Sequence, residues 1–517
     1  MRYIWFSLIG LVAFGVLSIL AAYVYGRFAE RAQGEPSRVL PRQADATLLD
    51  QRLGPLASGH AGESGLIMLS SNLDAFAARA LSARIAGRSL DLMYYIWKDD
   101  LTGRLLLNEV LAAAGRGVRV RLLLDEIGVK NNDGKFLALA SHPNIELRLF
   151  NPTRARKSSL RRGVEMVLRA WSVTRRMHNK AWIVDGRVLI AGGRNIGDEY
   201  FDAAETSTFR DLDLLAMGRV VEEAESMFDR YWNSGLALPI GAIGAGRGSS
   251  LAALRQDLQG QAEGEAAGPY ITRIRERLSL VDLVTDRPLY WNASARLVSD
   301  PPEKASGKSG DNWMMREIIP ILRSARQKLD ITSPYFIPGV EGTAEFVALS
   351  ERGVTVRILT NSLAATDVAA VHGGYAPYRK PLLRGGIQLF ELRPTQEPAD
   401  MSLSGSSNAS LHTKAFTVDG RVGFIGSLNF DPRSSSLNTE MGIVFEEPAL
   451  VRAMEDLFVA EVSRDVSYTV SLANDGSLRW SARINGEPVH FTSEPEASLV
   501  RRATAWFVGL LPIESQL

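Results

Sequence analysis

The pattern of apolar and polar positions divides the chain before any chemistry is considered. Tyr3–Gly26 carries no charged residue, and as a helix it would be roughly 36 Å long, enough for the roughly 30 Å hydrocarbon core of a bilayer. It predicts a membrane anchor over 1–30. A cleaved signal peptide is the competing reading, but the apolar stretch is long for one, and Ala21-Ala22 is followed by bulky Tyr23, Val24 and Tyr25. Residues 31–61 hold scattered Pro, Gly and Ser without a sustained period and read as a tether. Periodicity then sets in, with helical spacing over Asn72–Gly87, a buried strand over Ser89–Trp97, a helix over Leu105–Ala114 and a strand over Val118–Leu124. That ordering is βαβ and predicts an α/β sheet.

The same order returns later. Ser89-Leu90-Asp91-Leu92 has its counterpart in Lys328-Leu329-Asp330-Ile331, and Arg116–Glu126 (RGVRVRLLLDE) in Arg352–Asn361 (RGVTVRILTN). A repeat this long predicts two pseudo-symmetric α/β domains, each a β-sheet flanked by helices, over 62–234 and 288–517. Residues 235–287, dense in Gly, Ala and Ser as far as Gly268, are expected to link them. Their glycine run lacks the Gly-Lys-Ser/Thr ending of a phosphate loop and predicts a flexible connection without a nucleotide site.

The clearest repeat lies within each half. MHNKAWIVDGRVLIAGGRN, from Met177, matches LHTKAFTVDGRVGFIGSLN, from Leu411. Two apolar runs flank Asp-Gly in each copy, a β-hairpin signature. His178, Lys180 and Asp185 are spaced as His412, Lys414 and Asp419 are, and Asn195 follows its histidine at the same interval as Asn429. Strand parity puts each His on one face with its Lys, an imidazole and an ammonium suited to a phosphate. Asp185 and Asp419, at the turns and of opposite parity, read as supports rather than proton carriers. Ser427 stands where the first copy has Gly193, so the half-sites are not equivalent. Asp211 and Glu440 follow the two hairpins at corresponding places, each a candidate to hold an imidazole by its other nitrogen; Asp213 competes with Asp211.

Composition changes this picture little. A formal net charge of +1 gives no whole-chain attraction to nucleic acid, and with no cysteine there is no disulfide, thiolate or Cys-metal chemistry. No His/Asp/Glu cluster has ligand spacing, so neither metal nor other cofactor is expected. Arg27, Arg31, Arg38 and Arg42 follow the anchor against Arg2 before it, a lean toward a cytoplasmic bulk that leaves the orientation open. Between Arg154 and Arg176 seven arginines and Lys157 face one acid, Glu165, with Leu160, Val164, Val167, Leu168 and Trp171 among them. This segment predicts an interfacial helix on anionic lipid headgroups; a solvated face and a nucleic-acid groove are the alternatives. Trp506–Leu511 is a packed edge or a further membrane contact.

The paired motif resembles that of the phospholipase D superfamily. From about Gly62 to Leu517, through RRMHNK, GGRNIGDEYF, YFIPGVEGT and LPIESQL, the chain is similar to the bacterial cardiolipin synthases of the C type. The resemblance implies two phospholipase D-type domains whose half-sites make one pocket, and phosphatidyl transfer to phosphatidylglycerol from phosphatidylglycerol or phosphatidylethanolamine. It implies a phosphohistidine on His178, His412 as acid and base, and Lys180, Lys414, Asn195, Asn429 and Ser427 on the phosphate oxygens. The expected partners are phospholipids and an anionic membrane surface, with no nucleic acid and with room for a small partner protein of unknown identity. The expected location is a bacterial inner membrane, crossed once. A hydrolytic phospholipase, a superfamily nuclease and an inert membrane scaffold remain the alternatives.

Overall fold

The computed structural model describes residues 2–43, 45–129, 132–156, 158–204, 208–243, 250–276, 280, 284, 287–308, 310, 313–394, 409–511 and 513–516. Two large sheets organise it. The first half supplies β1 (Ser64–Leu69), β2 (Ser89–Ile96), β3 (Arg119–Gly128), β4 (Ile145–Phe150), β5 (Ala181–Val184), β6 (Val188–Gly192), β7 (Thr208–Arg210), β8 (Asp213–Gly218) and β9 (Ala237–Pro239), followed by β10 (Tyr290–Asn292). The second supplies β11 (Arg296–Ser299), β12 (Lys328–Thr332), β13 (Thr355–Asn361), β14 (Gln388–Leu392), β15 (Ala409–Leu411), β16 (Ala415–Val418), β17 (Val422–Gly426), β18 (Met441–Phe445), β19 (Ser467–Leu472), β20 (Leu478–Ile484) and β21 (Glu487–Phe491).

The strand orders are β10-β1-β8-β6-β5-β2-β3-β4-β9 and β11-β18-β17-β16-β12-β13-β14-β19-β20-β21. From β1 and from β11 the two sequences of strands correspond one for one through β9 and β19, the duplication expected from the repeat. β2, β3 and β4 pair in parallel, as do β12, β13 and β14, and the hairpins β5/β6 and β16/β17 run antiparallel beside them. Local chemistry sets the ends: Asp100 caps the helix Leu101–Gly115 by accepting from Gly103 N at 3.0 Å. At both hairpin turns the Asp and the Gly sit at positive φ, 52° and 66° in the first and 52° and 64° in the second, as a tight Asp-Gly turn requires.

A shared core joins the halves. Ile183, Leu189 and Ala191 of the first sheet belong to one buried cluster with Ala415, Ile425 and Ile443 of the second. β7 and β15, one from each half, pair in parallel, Leu411 opposite Arg210. Several connecting segments are more ordered than the sequence suggests. The tether lies along the first half, with Ser37 N donating to Asn233 Oδ1 at 3.0 Å and Arg42 paired with Glu222 and Glu225. It continues into a helix, Leu48–Ser58, closed by a Thr47–Asp50 capping box. The expected linker carries helices Leu251–Glu263 and Gly268–Glu276, which bury Leu254, Leu258, Tyr270 and Ile274 in the first core. Its glycine run at 244–249 lies outside the described residues. β10, placed by sequence with the second half, is the edge of the first sheet.

Candidate active site

The segments that enter β5 and β16 meet between the halves. His178 N donates to Thr439 O at 2.9 Å and His412 N to Arg210 O at 2.8 Å, so each histidine is docked on the half that does not carry it. The side chains repeat the exchange. His178 Nδ1 lies 2.8 Å from Glu440 Oε2, and His412 Nδ1 lies 2.5 Å from Asp211 Oδ2. Asp213 is excluded from that position because it is buried against Arg79 and Arg194, at 2.9 and 3.4 Å. Lys180 Nζ donates to His178 O at 2.6 Å, and Lys414 Nζ makes the equivalent bond to His412 O. All four His and Lys side chains are buried.

Burial is the largest influence on their ionisation. Desolvation first, then the charges of Lys180, Lys414 and His412, holds His178 well below its ordinary value. Desolvation and Lys414 also lower His412, but Asp211 opposes them. Lys180 is driven well below its usual range by burial, and Lys414 is lowered to about 8 for the same reason. Burial pushes Glu440 up to about 7 against the pull of Lys180, Ser427 and Ser434. Burial pushes Asp211 the same way, but His412, Lys414 and Arg194 outweigh it and keep that carboxylate low. The two halves therefore present unlike pairs, a neutral imidazole on a carboxyl that titrates near neutrality and an imidazole on a firmly ionised carboxylate.

Gly193 and Ser427 account for part of that difference. A Cβ at Gly193 would collide with the Asp211 carboxylate. Ser427 Oγ instead donates to Glu440 Oε2 at 2.5 Å while Met441 N donates to it at 3.0 Å. The serine hydroxyl is thus turned to the carboxyl, not toward a phosphate as its sequence position suggested. Ser434 Oγ donates to Glu440 Oε1 at 2.8 Å. Asn195 is also largely committed, accepting from Ile96 N at 3.2 Å and donating to Tyr200 OH at 2.9 Å, whereas Asn429 Oδ1 is buried with no partner among the described residues. Asp185 accepts the N–H groups of Gly87, Arg88 and Ser89 at 2.7–2.9 Å, and Asp419 those of Arg326, Gln327 and Lys328 at 2.8–2.9 Å. Both lie at the hairpin ends remote from the histidines, so their geometry is that of supports.

The aromatic rings around the imidazoles carry no signal in the sequence. Tyr95 meets His178 edge-on at 5.0 Å, and Tyr200 and Phe209 flank His412 at 5.2 and 4.9 Å. The Arg154–Arg176 segment also differs from expectation. Arg156, Arg162 and Arg176 pair with Glu126, and Arg156 also with Asp133, acids brought in from elsewhere, while Arg169 pairs with Glu165. Its cationic face is largely spent on the protein; Lys157 lies outside the described residues. Among the described residues no three His, Asp or Glu side chains are grouped to hold a metal ion.

Two unlike His-acid pairs with two lysines lie between the halves of a duplicated α/β fold, and the family comparison says which fold family this is. The model described as cardiolipin synthase, PLD-like domain, matches residues 82–232 and 318–461, and the chain belongs to that family. The protein is 42% identical to cardiolipin synthase C of Escherichia coli K12 over 92% of this chain and 99% of that one. It is 22% identical to a cardiolipin synthase of Listeria welshimeri over 75% of this chain and 67% of that one. Phosphatidylserine synthase of Haemophilus influenzae shares the fold, with a TM-score of 0.54 at 13% identity over 87% of this chain and 95% of that one. Among the described residues one helix, Trp5–Ala32, is long and apolar enough to cross a membrane, and together with the likeness to cardiolipin synthase C it makes the chain a membrane-anchored member of the family.

Proposed function

We propose that the chain makes cardiolipin, moving a phosphatidyl group from phosphatidylglycerol or phosphatidylethanolamine to the free glycerol hydroxyl of a second phosphatidylglycerol. The observation that carries this is the exchange of carboxylates between the halves: it commits both Nδ1 atoms and leaves Nε2 of His178 and of His412 for one phosphodiester. His178 Nε2 attacks phosphorus, a P–N bond forms, and the P–O bond to the donor headgroup breaks as His412 protonates the leaving oxygen. The acceptor hydroxyl then loses its proton to His412 and attacks phosphorus, restoring a phosphodiester and freeing His178. The assignment follows the electrostatics. His178, held low by burial first and then by the nearby Lys180, Lys414 and His412, has its lone pair available. His412, opposite ionised Asp211, is the better place for a proton. Lys180 and Lys414, with Asn195 and Asn429, offset charge on the non-bridging oxygens.

Water, at about 55 M, competes for the second step, so transfer requires an acceptor held close in a site that excludes solvent. An anchored enzyme at a bacterial inner membrane meets that condition. A nuclease reading is disfavoured because Arg156 and Arg162 of the basic segment before the first motif are paired with Glu126 and Asp133 rather than open to a phosphate backbone. The test is to give the purified chain vesicles of phosphatidylethanolamine labelled in its phosphatidyl group, with and without phosphatidylglycerol, and to separate the products by thin-layer chromatography. Labelled cardiolipin only when phosphatidylglycerol is present is the expected result. If phosphatidic acid dominates in both, and labelled phosphatidylglycerol in place of labelled phosphatidylethanolamine also yields no cardiolipin, the chain is a hydrolase.

A further inference from the structure

Two helices in this molecule are amphipathic the wrong way round for a protein in water. In the pair of helices Ser159–Leu168 and Ala170–Val173, Leu160, Val164, Val167 and Trp171 form one stripe at helical spacing, and all are exposed, Leu160 at 78% and Trp171 at 84%. The charged residues Arg162, Glu165 and Arg169 point inward instead, to Glu126 and to each other. The C-terminal helix Leu499–Gly509 repeats the inversion. Leu499, Val500, Trp506 and Phe507 face outward, at 83%, 75%, 68% and 58%, and Leu510 just beyond the helix is exposed as well. Arg501 and Arg502 turn in to the carbonyls of Leu363, Thr366 and Glu494. Contiguous apolar surface of this kind marks a contact, and a tryptophan on each helix suits the boundary between headgroups and acyl chains.

The two helices are not related by the internal repeat, since one is an insertion before the first motif and the other follows the second domain's sheet. They nevertheless lie on the same side of the site. Arg433 joins their flanks, donating to Thr174 O at 2.6 Å and to Gln516 O at 3.2 Å. Trp171 is seven positions before His178, and the loop that Arg501 holds leads to Asp367, whose charge acts on Lys414. The N-terminal anchor leaves the body beside the first helix: Tyr25 OH donates to Pro152 O at 2.7 Å, and Arg169 lies over the Tyr25 ring at 3.2 Å.

We propose that Leu499–Leu511 is a second membrane-inserting element that works with the 159–171 stripe, so that anchor and two helices seat the mouth of the site on one bilayer surface. The occupant is the lipid bilayer, because the anchor already brings it to the first helix and Arg433 makes the second continuous with it. The contact rests on apolar insertion more than on cationic attraction, since Arg162, Arg169, Arg501 and Arg502 are spent internally and only Arg161 of these helices stays exposed. Phospholipids would then enter sideways without leaving the membrane. This rests on the lipid-transfer reading for its purpose but not for its test.

The chain has no cysteine, so Val164→Cys, Phe507→Cys and Arg421→Cys can each carry one polarity-sensitive fluorophore on the full-length protein in vesicles of phosphatidylethanolamine and phosphatidylglycerol. Arg421 is exposed beside the hairpin turn, at the far end of β16 from His412, and serves as the control. Labels at 164 and 507 are expected to shift to the blue and to be quenched by nitroxide lipids labelled near the headgroup, with the label at 421 unchanged. The double substitution Trp506→Asp with Phe507→Asp is expected to lower turnover of vesicle lipid about tenfold or more while leaving turnover of a dispersed short-chain substrate intact. A label at 507 that stays water-like, or that is shielded but unquenched because protein covers it, overturns the proposal even if cardiolipin is made. A quenched label on a chain that makes no cardiolipin instead leaves the docking surface standing and removes the transferase reading.

Discussion

Nδ1 of His178 lies 2.8 Å from Oε2 of Glu440, a residue 262 positions further along the chain and in the other half of the molecule. The reciprocal pair, His412 with Asp211, spans 201 positions at 2.5 Å. Neither half therefore contains an oriented imidazole of its own. Glu440→Gln and Asp211→Asn keep size while removing the charge that fixes tautomer and ring orientation. Each is expected to lower kcat by about 10- to 100-fold with KM little changed. The Asp211 variant should be the worse, because that carboxylate is the ionised one beside the proton-carrying imidazole. Near-wild-type rates in both would mean that the cross-half pairs are packing only.

Glu440 also makes stability depend on pH in a predictable direction. Burial raises its carboxyl from 4.5 to about 7, so between those values the folded chain holds a proton that the unfolded chain has lost. Stability linked to this group is complete below about pH 4.5 and falls as pH rises toward 7, by a total on the order of 1–3 kcal/mol. In Glu440→Gln that term disappears, so the difference in Tm between pH 5 and pH 8 should shrink even as activity falls. An unchanged difference, measured by thermal unfolding in detergent, would place the proton elsewhere.

Asp185 separates support from chemistry. Its buried carboxylate accepts three backbone N–H groups and its φ is 52°, a region in which Asn is tolerated and most residues are not. Asp185→Ala should destabilise the fold by about 3–5 kcal/mol, and Asp185→Asn by distinctly less. Activity in the alanine variant should track the fraction folded, followed by circular dichroism and assay across a temperature series. A variant that melts like the parent but is inactive would give this aspartate a part in the reaction.

The hairpins and their His-Lys pairs were legible because the information is local. Alternating apolar runs and an Asp-Gly turn mark both hairpins and the repeat doubles the signal, although His178, Lys180, His412 and Lys414 lie just before β5 and β16 rather than in them, so strand parity does not set where they point. The fold class followed for the same reason. What the sequence hid depends on contacts between distant segments. Asp211 and Glu440 could be singled out by position, but nothing local says that each serves the other half's histidine. The Arg154–Arg176 segment looked cationic because the acids that neutralise it, Glu126 and Asp133, come from another part of the chain. Ser427 looked like a phosphate ligand until Glu440 was found beside it. In the supposed linker, Leu254 and Leu258, and again Tyr270 and Ile274, are one helical turn apart, a period masked by the surrounding glycines and alanines.

The division of labour between the histidines yields the most direct test of the mechanism. With His412→Ala, attack by His178 on a natural phospholipid stalls for want of an acid, but a phosphatidyl ester with an acidic phenol as its leaving group needs none. The expected outcome is one equivalent of phenol released and phosphatidyl label retained on the protein, acid-labile and located on His178 by mass spectrometry. Release then stops, because the residue that would deprotonate the acceptor is missing. Rescue should come from an acceptor that is already a good nucleophile, such as hydroxylamine, and not from added phosphatidylglycerol. The converse variant, His178→Ala, should neither release phenol nor retain label. Label on His412 in that protein would reverse the two roles, and release without label in His412→Ala would remove the covalent intermediate altogether.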